Sequence, residues 1–172
     1  MTPFKTIALA LMIALCAPSA FAAEALERGG ESGFPLPRFV SLSSSKVNVR
    51  VGPSVKYKIK WTFLKAGLPV EIVREFGNWR RVRDAEGEEG WVHHSLLSGR
   101  RTALVAPWGA AEPIALRVKA SESAQTAALL EPLVLAAVDE CEEGWCTISG
   151  SGWSGFVPQA TLWGVYPREK IE

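Results

Sequence analysis

The sequence predicts an all-β fold of two small domains in tandem, each a barrel or sandwich of short strands, behind a cleaved signal peptide. Three observations carry this. Apolar–polar alternations with Gly and Pro between them recur every eight to twelve residues, and no stretch keeps a helical period. The order of these alternations repeats once, at spacings of 63 to 67 residues. The N-terminus carries Lys5, an apolar run from Ile7 to Leu15, Pro18 and then Ala20-Phe21-Ala22, the layout of a secretory signal cut after Ala22.

That apolar run of nine residues falls short of the roughly 20 needed to span a bilayer. Leu15 before Cys16 argues against lipid attachment, which wants a small residue there. The expectation is export to the periplasm or the medium, with no transmembrane segment in the mature protein. The mature chain holds 18 basic and 18 acidic residues, a balance that disfavours a nucleic-acid partner. The halves differ in sign: residues 36–99 hold 11 basic and 6 acidic side chains, residues 100–166 hold 4 and 7. Either the halves face each other or a shared partner, or they are two independently solvated surfaces.

Residues 23–37 combine Gly29-Gly30, Gly33, Pro35 and Pro37 and read as a flexible linker. The first domain is expected over 38–99. Arg38-Phe39-Val40 begins it, and Val47, Val49 and Val51 alternate with polar neighbours until Gly52-Pro53 forces a turn. Alternation from Val55 to Phe63 predicts an aromatic face of Tyr57, Ile59 and Trp61 opposite a cationic face of Lys56, Lys58 and Lys60. Val70 and Ile72 mark the next strand, Trp79 to Arg83 and Gly90-Trp91-Val92 the last two. Val49, Val70, Ile72 and Val82 are the predicted core, while Gly52, Pro53, Gly87 and Gly90 answer to turn geometry.

The second domain, over 100–166, repeats this order in degenerate form, leaving 167–172 as a tail. Thr102–Val105 matches Phe39–Leu42, Trp145 matches Trp79, and Gly155-Phe156-Val157 matches Gly90-Trp91-Val92. Tyr57 and Trp61 fall opposite Ala124 and Ala128, so an aromatic surface is lost. A cysteine pair is gained at the matching hairpin. Cys141 and Cys146, the only cysteines of the mature chain, predict a disulfide across the turn. Closing so short a loop contributes about 2 kcal/mol in the chain-entropy model.

Three segments carry a resemblance to a known family. Asn48-Val49-Arg50-Val51-Gly52-Pro53-Ser54, Trp79-Arg80-Arg81-Val82-Arg83-Asp84 and Glu89-Gly90-Trp91-Val92-His93-His94-Ser95-Leu96-Leu97-Ser98-Gly99-Arg100-Arg101 resemble the bacterial SH3-like (SH3b) domain, in the exported form common in alphaproteobacteria. The likeness is stronger over 38–105 than over 106–166. It implies two tandem small SH3-like β-barrels of five to six strands, and binding or targeting modules of the envelope that often act on cell-wall peptides.

The candidate ligand-binding residues are Tyr57, Trp61, Trp79, Arg81, Arg83 and Trp91. If Val82 faces inward, a regular strand sends Trp79, Arg81 and Arg83 outward together, where flat rings hold a peptide and Arg81 pairs a carboxylate. A bulge near Gly77-Asn78 would instead return Trp79 to the core, and a barrel this small needs its Trp rings for burial. Arg80, Arg81 and Arg83 have no counterpart in the second repeat, where Cys146, Thr147 and Ser149 stand. Adjacent His93 and His94 point to opposite sides of an extended strand and, with no other His, supply no metal site or catalytic triad. The acidic clusters Glu86-Glu88-Glu89 and Glu140-Glu142-Glu143 sit on turn tips, and no phosphate loop is present. The expectation is a non-catalytic, cofactor-free module for a peptidoglycan peptide or an extended segment of an envelope protein. A periplasmic scaffold with its aromatics buried is the alternative.

Overall fold

A computed structural model describes residues 27–28, 30–109 and 112–172. The predicted signal peptide lies outside them. Among the described residues no helix is long and apolar enough to cross a membrane.

A short hairpin pairs β1 (Glu27–Arg28) with β2 (Pro35–Leu36). The first barrel then runs through β3 (Arg38–Leu42), β4 (Val47–Arg50), β5 (Ile59–Phe63), β6 (Pro69–Phe76), β7 (Trp79–Arg83), β8 (Glu89–His93) and, after a 3-10 turn, β9 (Leu97–Ser98). The second repeats it with β10 (Thr102–Val105), β11 (Ile114–Arg117), β12 (Thr126–Leu130), β13 (Leu135–Glu142), β14 (Trp145–Gly150), β15 (Trp153–Pro158) and β16 (Leu162–Trp163). The strand orders β5-β4-β8-β7-β6-β3-β9 and β12-β11-β15-β14-β13-β10-β16 are the same topology. Each barrel closes on its own core: Leu42, Val47, Val49, Val70, Ile72, Val82 and Val92 in the first, and chiefly Val105, Leu116, Val138, Ile148 and Val157 in the second.

The repeat extends to irregularities. A bulge displaces Val73 in β6 and Asp139 in β13. Gly90 and Gly155 occupy one position, and space rather than turn geometry explains them. A Cβ on Gly90 would run into Val49 and approach Trp61 at 3.3 Å; one on Gly155 would meet Leu116 and the Arg117 carbonyl at 2.7 Å. The strand pair there approaches too closely for any side chain.

Four expectations are corrected. The stretch read as a flexible linker is built into the barrel from β2, and Ser32 donates from its backbone and hydroxyl to Glu75 at 2.9 and 2.6 Å. The tail is likewise packed: Ile171 is buried and bridges Cys141. Val51 is 56% exposed, because β4 ends at Arg50. Finally, Trp61 pairs with Val49 and Ile59 with Arg50, leaving Lys60 as a bulge. The extra residue puts Trp61 against the core and Ile59 outside, so no common Tyr57–Ile59–Trp61 face exists.

The barrels meet through β3 and the start of β6 in the first and β10, β16 and the residues after it in the second. Phe39 packs against Trp163 and Tyr166, with ring centroids 5.0 and 4.7 Å apart. Thr102 donates to the Gly67 carbonyl at 2.7 Å, and the Tyr166 hydroxyl to Glu71 at 2.8 Å. Gly164 allows this approach: its φ is +123°, and a Cβ would strike the Thr102 carbonyl and come within 3.2 Å of Pro69.

Candidate functional site

Alternation along β7 and β8 buries Arg80, Val82, Gly90 and Val92 and turns Trp79, Arg81, Arg83, Glu89, Trp91 and His93 outward. Trp79 follows the regular ladder opposite Phe76; the bulge lies instead at Val73. Because directly paired residues share a face, the register writes three rows across the sheet. The first is Glu71–Arg83–Glu89, the second Arg74–Arg81–Trp91–Arg50, the third Phe76–Trp79–His93.

The first row belongs to the junction between barrels. Arg83 donates to Glu71 at 2.8 Å through Nε and pairs with it at 2.6 Å through its terminal nitrogen, while Tyr166 holds the other Glu71 oxygen. Burial first, and then the hydrogen bond to Glu71, push the Tyr166 hydroxyl well above its ordinary range, so it stays a neutral donor. A cleft of about 800 Å³ opens beside this triad, lined by Phe39, Arg83, Trp108, Trp163 and Tyr166 among others.

The second and third rows face solvent. Arg81 pairs with Glu89 at 2.8 Å, and Arg50 donates one nitrogen to the Tyr57 carbonyl at 2.7 Å. Phe76 is 62% exposed, and Trp79 meets His93 edge-on with centroids 5.5 Å apart. His93 and His94 lie on one side after all, rings 4.8 Å apart, because the strand gives way to the 3-10 turn between them. No group of three or more metal-ligating side chains occurs among the described residues.

The predicted ligand residues therefore divide. Trp79, Arg81 and Trp91 share the open face, and Arg83 shares it but is tied to the junction. Tyr57 lies apart on the turn after β4, half-exposed, its ring over Gly52 where a Cβ would come within 2.7 Å. Trp61 stands with the core, beneath Lys60 at 4.9 Å, its indole N–H buried without a partner. Arg80 is structural: it is buried against Glu75 at 3.2 Å and donates to the Gly77 and Trp79 carbonyls. Burial would raise the Glu75 carboxyl, but hydrogen bonds from Ser32 and Arg38 and the charge of Arg80 outweigh it, holding it at about 2 against an ordinary 4.5. Sequence reasoning missed Arg50 and Arg74. Arg50 was legible as the outward neighbour of Val49; Arg74 was hidden by the Val73 bulge, which shifts its phase.

Two separate segments, 43–99 and 110–164, each match the family model described as bacterial SH3 domain. The chain belongs to the bacterial SH3 domain family. The matched segments of these two bacterial SH3 domains cover β4 to β9 of the first barrel and β11 to β16 of the second. Solved structures similar to it include NlpC1 and NlpC2 from Trichomonas vaginalis, each 12% identical, with TM-scores of 0.34 and 0.33. The matches cover 78% and 74% of this chain and 48% of each of those chains, so it spans about half their length. No curated protein matches the chain.

Proposed function

We propose that the chain is an exported, non-catalytic binding module of the bacterial cell envelope, working in the periplasm. Its first SH3 domain takes a peptide-bearing ligand, either a peptidoglycan stem peptide or an extended segment of a partner protein. The second domain is its disulfide-stapled companion. The observation that supports this is the difference between equivalent faces of the two barrels. Where the first carries Arg74–Arg81–Trp91–Arg50 and Phe76–Trp79–His93, the second carries Glu140–Thr147–Phe156–Arg117 and Glu142–Trp145–Pro158. The scaffold is kept, with Arg117 at the Arg50 position, Trp145 at Trp79 and Phe156 at Trp91, while Arg74, Arg81, Phe76 and His93 are replaced by Glu140, Thr147, Glu142 and Pro158, so the fold does not require those four.

The purified protein is expected to pellet with isolated sacculi, and Trp79→Ala and Arg81→Ala to lose retention while keeping the wild-type melting curve. Full retention by both variants sinks the assignment of the ligand to this face. A periplasmic scaffold is the second reading, favoured by the half-buried setting of Trp61 and Trp79; it requires a stable cross-linked partner and no sacculus retention. Fractionation of cells tests the location: the mature chain should leave with the periplasmic contents.

A further inference from the structure

Resting on that reading of the first barrel's face, we infer that its ligand is an extended acidic polypeptide segment, with carboxylates three residues apart bracketing apolar ones. The ladder sets Arg50, Trp91, Arg81 and Arg74 side by side on β4, β8, β7 and β6. Arg74 lies directly opposite Arg81, a like-charge pairing that costs stability in a sheet. The second barrel has Glu140 opposite Thr147 there and folds with the same topology. The Arg74–Arg81 pair is therefore not required by the fold and stands against its stability, whereas Arg50, like Arg117 in the second barrel, also closes the turn after its strand. The row's internal compensation is slight: Arg81 has an exposed ion pair with Glu89, a kind worth little. Arg50 spends one nitrogen on a backbone carbonyl, and Arg74 makes no hydrogen bond or ion pair among the described residues.

The spacing specifies the ligand. Neighbouring strands stand about 4.8 Å apart, so Arg50 and Arg81 bracket Trp91 at about 10 Å. An extended or polyproline II segment rises about 3.1 to 3.4 Å per residue, so two residues three apart span the same distance. Crossing the strands, such a segment sets one carboxylate in each guanidinium fork and lays the apolar residues between them over the indole of Trp91. Arg74 extends the row toward a further acidic residue. The row is also narrow. The Glu71–Arg83–Glu89 row flanks it with carboxylates and the Phe76–Trp79–His93 row with rings, which suits a single chain better than the broad anionic field of a membrane.

The test is a titration of the purified full chain into a dye-labelled peptide containing Glu-Ala-Leu-Glu, followed by anisotropy, beside its twin with both Glu replaced by Gln. Sacculi and vesicles of phosphatidylglycerol form parallel arms. Saturable binding is expected, weakened about tenfold or more by Arg81→Gln, the loss of one charge-assisted contact, and further in the Gln twin, which loses two. Arg74→Gln should weaken it severalfold, rising salt progressively, and Arg117→Gln on the second barrel not at all. Equal affinity for the twin, an unchanged affinity in Arg81→Gln of wild-type melting temperature, or preference for the vesicles overturns the inference. Sacculus retention without peptide binding overturns it and leaves the envelope-binding reading standing. Peptide binding without sacculus retention supports it and narrows that reading to a partner protein, and failure of both arms overturns the two together.

Discussion

The two barrels close the same hairpin with different chemistry. In the first, Glu75 and Arg80 face each other across β6 and β7; in the second, Cys141 and Cys146 occupy the same rungs of β13 and β14 and are joined as a disulfide. The difference propagates outward. A carboxylate only 1% exposed must have its lone pairs satisfied, and this one draws Ser32 and Arg38 onto it, binding the segment before the barrel into the structure. A disulfide makes no such demand. Arg101, which stands where Arg38 does, turns instead to Glu169 with bonds of 2.7 and 3.0 Å, and Ile171 covers Cys141. Equivalent ladder positions thus recruit opposite ends of the chain: the N-terminal segment by charge in one barrel, the C-terminal tail by backbone pairing at Cys141, beside the Arg101–Glu169 ion pair, in the other.

The comparison breaks most sharply at Glu75. Replacing it with Gln strands Arg80 in a buried site and should cost about 3 to 5 kcal/mol, read as a lower urea midpoint for the first barrel. Acid tests the same carboxylate without mutation. Its pKa is depressed in the folded state, so its contribution of about 3 kcal/mol is fully present above the ordinary value of 4.5 and is lost as pH falls toward about 2. A stability profile over that window should slope in the wild type and flatten in Glu75→Gln, while the disulfide has no proton to gain. An equal slope in both would remove Glu75 from the account. Reducing the disulfide, or Cys141→Ser with Cys146→Ser, should cost about 2 kcal/mol, measured as a midpoint shift under reductant and confined to the second barrel. The smallest effect belongs to the junction. Tyr166→Phe removes one hydrogen bond to Glu71 and should cost about 1 kcal/mol, seen in calorimetry as less coincident melting of the two barrels.

Much of this was legible in the sequence. Val49, Val70, Ile72 and Val82 announce themselves by period, and the 63-to-67-residue repeat pairs Trp79 with Trp145 and Gly90 with Gly155 as the ladders do. The open face was half legible: outward alternation on β7 and β8 gives Trp79, Arg81 and Trp91, but their neighbours Arg74 and Arg50 come from β6 and β4. The bulges at Lys60 and Val73 account for the misread Tyr57–Ile59–Trp61 face and the missed Arg74, since one extra residue reverses the phase of everything beyond it. Nothing in the local composition of those stretches marks the residue that leaves the ladder.

By itself, then, the sequence determined the all-β class, the tandem repeat, the first barrel's core and the cysteine pair, because each is set by local periodicity or spacing along the chain. The tertiary structure alone decided which charges are structural and which are free. Arg80 and Arg81 are neighbours of identical chemistry; one is buried on Glu75 and the other lies open beside Trp91. The physical reason is that burial and pairing depend on partners tens of residues away, and only the assembled register brings those partners into reach.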